Sequence, residues 1–215
     1  MRTDALHSLK CDVKPQALLI HVAKDGSIEH DMAVPCTVSQ AGIKISLVDT
    51  PSLPIMVHFD GAVVPFSLEA QKGVSFHLVH IFSGSAQKHD GRTEVMLHDN
   101  ATGHFYQVAE LDGHAYVEQH CTLKLDKSST LTHYCINLSE GKFKQTIEST
   151  LDGTDAVLDF YMLDQLFHHA HAQTLLTITH HAPRTKSSQL VRAIYGDRSN
   201  GTFLGKVVVE KTAPH

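Results

Sequence analysis

The feature that most constrains the fold of this chain is a polar turn that recurs at a nearly constant interval. Four turn residues, each followed by an apolar run, stand 27, 27 and 26 positions apart: Lys72, Asp99, Asp126 and Asp152. Each interval contains two short runs typical of β-strands and no segment with the length and periodicity of an α-helix. This spacing predicts stacked structural repeats, and stacked two-strand units form a parallel β-helix.

Residues at equivalent places in the repeats predict what lies inside the coil. Nine positions after the turn residues, the chain has Ile81, Val108, Cys135 and Tyr161. Ten positions after them, it has Phe82, Ala109, Ile136 and Met162. Neighbouring coils lie one strand spacing apart, about 4.8 Å, so we expect both sets to stack as interior apolar ladders. The predicted fold is therefore all-β, a right-handed parallel β-helix.

The beginning of the chain departs from the repeat. Residues 1–60 contain three strand-like runs broken by prolines, and we interpret them as irregular opening coils and a cap. A solenoid needs a covered end because an open strand edge pairs with other chains. No Gly-, Ser- or Pro-rich linker divides the sequence, so we predict one domain over residues 1–215, with the repeat coils at 61–215.

Charge and composition exclude several classes of function. The chain has 18 Lys and Arg against 23 Asp and Glu, and it contains no basic run with interleaved aromatics, which argues against nucleic-acid binding. No stretch has the apolar length of a membrane span, and the first residues do not resemble a signal peptide, so we expect a cytoplasmic protein. The sequence also has no nucleotide-binding loop and no nucleophile elbow.

One group of histidines has the composition of a metal site. The densest cluster among the 18 His residues is His168, His169 and His171, whose imidazoles suit zinc, copper, nickel or iron(II). In a strand, His169 and His171 would share a face, and Asp164 nearby would complete a site. A polar loop on the side of the solenoid explains the same residues without a metal.

A second group combines imidazole and thiol on successive runs: His120, Cys121, His133 and Cys135. Such ligands suit zinc or iron–sulfur chemistry. About half a period separates Cys121 from Cys135, however, so we expect them on different faces. The 4 Cys form no Cys-x-x-Cys pair, and reduced, buried thiols explain them as well. We therefore expect no tightly bound metal in the purified protein.

The last 36 residues carry a more specific pattern. They read His180-His181-Ala182-Pro183, then Ser187-Ser188-Gln189-Leu190-Val191, then Gly201-Thr202-Phe203-Leu204-Gly205-Lys206-Val207-Val208-Val209. This resembles the end of the solenoid in the SufB/SufD family, the scaffold subunits of the SUF machinery that assembles iron–sulfur clusters. The family order there is His-Ala-x-Pro, Ser-x-x-Leu and Gly-x-x-Phe-x-Gly-Lys-Val-x-Val. The resemblance covers roughly residues 70–210 and favours a strand at 189–195, where propensity alone allows a short helix.

The resemblance implies a non-enzymatic scaffold or partner subunit in iron–sulfur cluster assembly. Its partner would be a SufB/SufD-like subunit or a second copy, joined as a dimer through the C-terminal strand at 206–209, and a cluster would form only in the complex. The family continues with further Cys- and His-bearing coils and a helical domain that docks the SufC ATPase. The chain therefore resembles a truncated member, and we expect no SufC-like ATPase to dock on it.

Two alternatives stay open. The chain could be a stand-alone metal-binding or protein-interaction β-helix module that kept the coil without the SUF role. A carbohydrate-active β-helix enzyme is less favoured, because such enzymes need paired acids and sugar-stacking aromatics, and the chain has no Trp and 5 Tyr. The sequence does not decide between a SufB-like and a SufD-like role.

Overall fold

The computed structural model describes residues 17–31, 33, 36–39, 42–85, 89–211 and 213. These residues form 16 β-strands and no α-helix. In chain order the strands are β1 Leu18–Val22, β2 Ile28–His30, β3 Cys36–Ser39, β4 Gly42–Leu47, β5 Ile55–Asp60, β6 Phe66–Ala70, β7 Ser75–Gly84, β8 His89–Leu97, β9 Thr102–Leu111, β10 Tyr116–Leu125, β11 Thr130–Asn137, β12 Lys142–Leu151, β13 Val157–Leu166, β14 His171–His180, β15 Lys186–Tyr195 and β16 Asn200–Val209.

Successive strands alternate between two sheets. The first sheet has the order β15-β13-β11-β9-β7-β5-β1-β2, and the second has the order β16-β14-β12-β10-β8-β6-β4-β3. From β5 onward each strand pairs in parallel with the strand two positions along the chain, so each coil adds one strand to each sheet. The chain thus winds as a β-solenoid, which confirms the predicted parallel β-helix. At the N-terminal end, β2 and β3 pair antiparallel with β1 and β4.

Strict alternation of apolar and polar residues explains why these segments form strands. In β9, β10 and β13, every second residue is buried along nearly the whole strand, which is the period of a strand with one face in a core. The inward side chains of the two sheets meet and fill the interior. The largest fully buried ones are four phenylalanines, and burying each stabilises the fold by about 1.5–3 kcal/mol: Phe59, Phe82, Phe105 and Phe160.

The repeat interval is less regular than the sequence spacing predicts. Register pairs Ile81 with Val108, Val108 with Ile136 and Ile136 with Leu163, so successive coils advance by 27, 28 and 27 residues. The extra residue lies between Leu111 and Leu125, which are 14 positions apart, whereas their partners Gly84 and Leu97 are 13 positions apart. A one-residue slip moves a side chain to the other face of a strand.

The first predicted ladder is therefore not interior, because Ile81 and Val108 stack on each other at outward, partly exposed positions. The second is correct for Phe82 and Ala109, which stack and are buried, and wrong for Ile136. Cys135 stacks on Gln107 rather than on Val108, and Met162 stacks on Cys135. Val108 and Ile136 do share a column, but that column faces outward, since both residues fall on the partly exposed positions of their strands. The predicted strand at 189–195 is confirmed as part of β15.

The turns from the second sheet to the first also stack on one another. The amide of Gly73 donates to Asp99, and the amide of Asn100 donates to Lys127, each to the carbonyl of the next turn. The same turn position has a left-handed backbone in five successive coils, with φ values of 74°, 58°, 54°, 63° and 58°: Gly73, Asn100, Ser128, Asp155 and Arg184. Gly, Asn and Asp adopt this conformation at low cost, which explains much of the polar turn pattern.

No helix in the part of the chain that the structure describes could cross a membrane.

Candidate functional site

A group of polar side chains lies inside the solenoid, and we call it the interior polar cluster. Its members come from both sheets and are each at most 4% exposed: Gln107, Cys121, His133, Cys135, Gln145 and Asp164. They face inward because each occupies a buried position in its alternating strand. Sequence reasoning singled out the His and Cys members but missed Gln107 and Gln145, because glutamine is usually a surface residue.

His133 and Cys135 contact each other at the centre of this cluster. Nε2 of His133 lies 2.8 Å from Oε1 of Gln107 and 3.4 Å from Sγ of Cys135. With Gln107 in this orientation, Nε2 donates its proton to Oε1, and the Cys135 thiol donates weakly to the same oxygen over 3.7 Å. The imidazole also stacks on Phe105, with 4.6 Å between ring centroids. Packing and hydrogen bonding therefore hold the ring in one orientation.

Burial keeps these groups uncharged near neutral pH. Loss of solvation lowers the pKa of His133 to about 3 and raises the pKa of both the Cys121 and Cys135 thiols. Nearby Cys121 and Asp164, when ionised, raise the pKa of Cys135 further. Cys121 and Cys135 lie on different sheets, as the half-period spacing predicts, but both point inward and so approach each other. Neutral thiols are poor nucleophiles and poor metal ligands.

His120 is separated from the cluster by the wall of the solenoid. In β10 it occupies an exposed position, while Cys121 next to it is buried. Its Nε2 lies 3.8 Å from Asp90 and 4.0 Å from Glu118 on the outer surface. The structure therefore brings together Cys121, His133 and Cys135 and leaves His120 outside.

The predicted histidine group lies at the turn between β13 and β14. His168 has a φ of 60°, and its imidazole nitrogens lie 3.7 Å from Glu140 and 3.5 Å from Asp197, the carboxylates of the two neighbouring turns. His171 begins β14 and hydrogen-bonds Asn200 through Nδ1, while His169 is exposed in the turn.

Asp164 is buried inside the solenoid, away from these imidazoles. Loss of solvation raises the pKa of Asp164 to about 6, although hydrogen bonds from Tyr195 and Asn137 act against this shift. Among the described residues, no three or more His, Cys, Asp and Glu side chains have the geometry to hold a metal ion.

Several buried polar atoms of the solenoid interior have no hydrogen-bond partner among the residues that the structure describes. They include Nδ1 of His133, Nε2 of Gln107, Oε1 of Gln145 and Oδ2 of Asp164. An unsatisfied buried polar atom costs roughly 1–3 kcal/mol unless ordered water reaches it. The interior is thus more polar than an apolar core. Its His133, Cys121 and Cys135 side chains are neutral near pH 7, whereas Asp164, with a pKa of about 6, is the cluster member that carries charge there.

A second polar arrangement follows the outer edge of the turns, where acids and imidazoles alternate in successive coils. Nε2 and Nδ1 of His98 lie 2.8 Å from Glu69 and 2.9 Å from Asp126. The hydrogen bond to Glu69 is the main cause of a raised pKa for His98. His181 continues the pattern between Asp152 and Glu210. Sequence reasoning missed this row of acids and imidazoles, because its members become neighbours only through the stacking of turns.

The last coil, formed by β15 and β16, differs from the others because its inward side is open. Most of its residues are exposed, whereas β13 and β14 alternate strictly with buried positions. Val207 and Val209 stack on Ile178 and His180 of the coil before, yet they are 50% and 53% exposed. Within the described part of the chain, no strand pairs with the outer edges of β15 and β16, so this coil presents apolar side chains and two open strand edges.

A comparison with protein families identifies the solenoid. The family model described as "SUF system FeS cluster assembly, SufBD core domain" matches residues 61–215, which include strands β6 to β16. No curated protein matches the chain. The match covers most of the sequence and confirms the resemblance read from its last residues. The chain therefore belongs to the SufBD core domain family, whose role lies in the SUF system of iron–sulfur cluster assembly.

Proposed function

We propose that this chain is a non-enzymatic partner subunit in SUF iron–sulfur cluster assembly, and that it joins a SufB- or SufD-like chain through its last coil. The family match supports the SUF role. The single observation that carries the finer proposal is the exposure of β15 and β16 on the side where every earlier coil is covered by the next.

The last coil has the properties of a surface that pairs with another solenoid. β15 and β16 each have a neighbouring strand on one side, and each is 10 residues long. Val207 and Val209 continue the inward columns of Ile178 and His180 and are 50% and 53% exposed there. An open strand edge accepts a further strand through backbone hydrogen bonds, and the apolar side chains around it gain from being covered. A second solenoid of the same family would supply suitable strands, because its two sheets have the same spacing.

The state of the thiols supports a role without catalysis by this chain alone. Cys121 and Cys135 are enclosed, and burial raises the pKa of both. An iron–sulfur cluster is held by thiolates, so an enclosed neutral thiol is a poor ligand for it. We therefore propose that the chain alone holds no tightly bound cluster and that any cluster forms only in the complex.

Co-purification tests the partner role. A tagged form of the chain is expressed with a SufB-like or a SufD-like subunit, and the complex is measured by light scattering. We expect the partner to co-purify with the unchanged chain and with the control Thr146→Arg, which changes an outward residue of β12, two strands away from β16. We expect Val207→Arg to abolish co-purification, because it places a charge in the exposed end.

Two results would contradict the proposal. Failure of both subunits to co-purify with the unchanged chain would refute the partner role, and co-purification with Val207→Arg would refute the use of the last coil.

A separate measurement tests the proposal on the cofactor: iron and sulfide are measured in the chain purified alone under anaerobic conditions. Stoichiometric iron that is lost in Cys121→Ser or Cys135→Ser would make the chain a cluster carrier in its own right.

A further inference from the structure

The two outer faces of the solenoid differ in chemistry. On the second sheet, the outward residues of β10 and β12 are mainly charged or polar, with Glu118 and Lys144 joined in an ion pair. On the first sheet, two adjacent outward columns are apolar or aromatic and partly exposed. We call these columns the tyrosine stripe, and their residues are Met56, Val79, Tyr106, Tyr134, Tyr161, Leu190, Ile81, Val108, Ile136 and Leu163.

The tyrosines of the stripe form a stacked row. The ring centroids of Tyr106 and Tyr134 are 4.7 Å apart, and those of Tyr134 and Tyr161 are 5.2 Å apart, with nearly parallel planes. Because the ring faces contact one another, they are not available to stack on a sugar, and the stripe does not have the form of a carbohydrate platform. A continuous apolar surface across several strands is instead typical of a protein contact.

We propose that the tyrosine stripe is the contact surface between two copies of this chain, packed face to face through their first sheets. This goes beyond the proposed function, because the stripe lies on the side of the solenoid and the last coil lies at its end. Two sheets pack face to face at about 10 Å when apolar side chains from each fill the space between them. A second copy has the same distance between rungs, so its side chains match this row along the whole stripe.

The flanks of the stripe support a self-complementary contact. His77 and His104 lie beside the tyrosine column, and Glu110 lies beside the column of Val108. When two copies pack with the strands of the facing sheets in opposite directions, the histidine flank of one copy lies over the Glu110 flank of the other. His104 of each copy then faces Glu110 of the other copy, and the contact is the same in both directions, as a two-fold interface requires.

The stripe and its two flanks together have the size of a dimer face. Six strands of the first sheet, β5 to β15, span about 29 Å at the usual strand spacing, and the two columns of the stripe with one flanking column on each side span about 27 Å along the strands. The face is therefore roughly 750 Å² on each copy, close to the ~800 Å² per partner that specific protein interfaces bury.

Sedimentation of the purified chain from about 1 to 100 µM tests this proposal. We expect a monomer–dimer equilibrium that Tyr134→Arg shifts to monomer, because it places a charge at the centre of the stripe. Ile136→Arg serves as a second variant in case the first does not fold, which circular dichroism will show. The matched control Thr146→Arg, in the same coil on the opposite sheet, leaves the dimer unchanged, and so does Val207→Arg at the end of the solenoid.

A charge exchange tests the orientation of the two copies. His104→Glu brings two carboxylates together and is expected to dissociate the dimer, while adding Glu110→His restores it. A strict monomer, or a dimer that persists in both Tyr134→Arg and Ile136→Arg, overturns the proposal. Loss of the dimer in Val207→Arg alone assigns self-association to the last coil and also overturns it. The proposal is also overturned if the chain is a strict monomer and binds a SufB- or SufD-like chain through Tyr134, because the stripe then contacts that chain and not a second copy.

Discussion

Two buried histidines make the stability of this solenoid sensitive to acid. His80 lies on the inward side of the first sheet, where four phenylalanine rings surround it at centroid distances of 4.4 to 6.1 Å. Neither of its ring nitrogens has a hydrogen-bond partner in the described part of the chain. Loss of solvation lowers the pKa of His80 to about 3, from 6.5 for a free side chain. The same cause lowers the pKa of His133 to about 3.

The sign and size of the effect follow from proton linkage. A histidine with a lowered pKa binds fewer protons in the folded than in the unfolded chain, so the free energy of unfolding falls once the pH drops below the unfolded pKa. For a shift from 6.5 to about 3, the loss between about pH 7.5 and about pH 5 is roughly 2 kcal/mol for each histidine. It continues to grow until the pH reaches the folded pKa.

His80→Leu isolates one of these contributions. Leucine has a volume close to that of histidine and does not titrate, so the variant is expected to lose about 2 kcal/mol less than the unchanged chain over the same pH interval. Urea unfolding followed by circular dichroism at both pH values measures the difference. The control His169→Gln, at an exposed turn position, should lose as much as the unchanged chain. Equal losses in His80→Leu and the unchanged chain would refute the reasoning.

Three further predictions concern other parts of the solenoid. The pKa of His98 should lie above 6.5 in an NMR titration and should fall in the variant Glu69→Gln. The stabilisation that protonated His98 contributes is complete below pH 6.5 and disappears as the pH rises through its folded pKa. An unchanged pKa in the variant would contradict the role of Glu69. A thiol reagent should label Cys36 in the folded chain well before Cys121 and Cys135, as peptide mass spectrometry will show, and equal rates would mean that the interior is open. Gly153→Ala should lower the free energy of unfolding by roughly 1–3 kcal/mol, because its Cβ would lie 2.0 Å from the Lys127 amide nitrogen, whereas Gly113→Ala, with no atom within 4 Å, should have little effect.

The strands and turns of the solenoid could be predicted from the sequence because both depend on local chemistry. Strand alternation and left-handed turn residues such as Asn100 are visible in any short window. Register was harder, because it depends on the lengths of whole strands. The extra residue between Leu111 and Leu125, compared with Gly84 to Leu97, places Ile136 outside and Asn137 inside, and no turn residue signals it.

The candidate site was predicted only in part, for a related reason. Cys121 and Cys135 were recognised from their type, but Gln107 and Gln145 become interior residues only through the register of both sheets. Likewise, Glu69 and Asp126 are far from His98 in sequence and meet it through stacking. The family resemblance predicted the role in cluster assembly from a C-terminal pattern whose chemistry alone indicates no function.

Each strand of the solenoid gains its hydrogen bonds from the strands directly before and after it in the same sheet. Free energy in such an array is approximately a sum over adjacent coils, so the terminal rung, with one neighbour, frays most readily. Amide hydrogen exchange should therefore slow progressively from β16 inward to β10. A chain that docks on the last coil would add the missing neighbour, and the slower exchange would spread inward over several rungs. Docking at one end would thereby make the nearest rungs more rigid, and the effect would decrease towards β10.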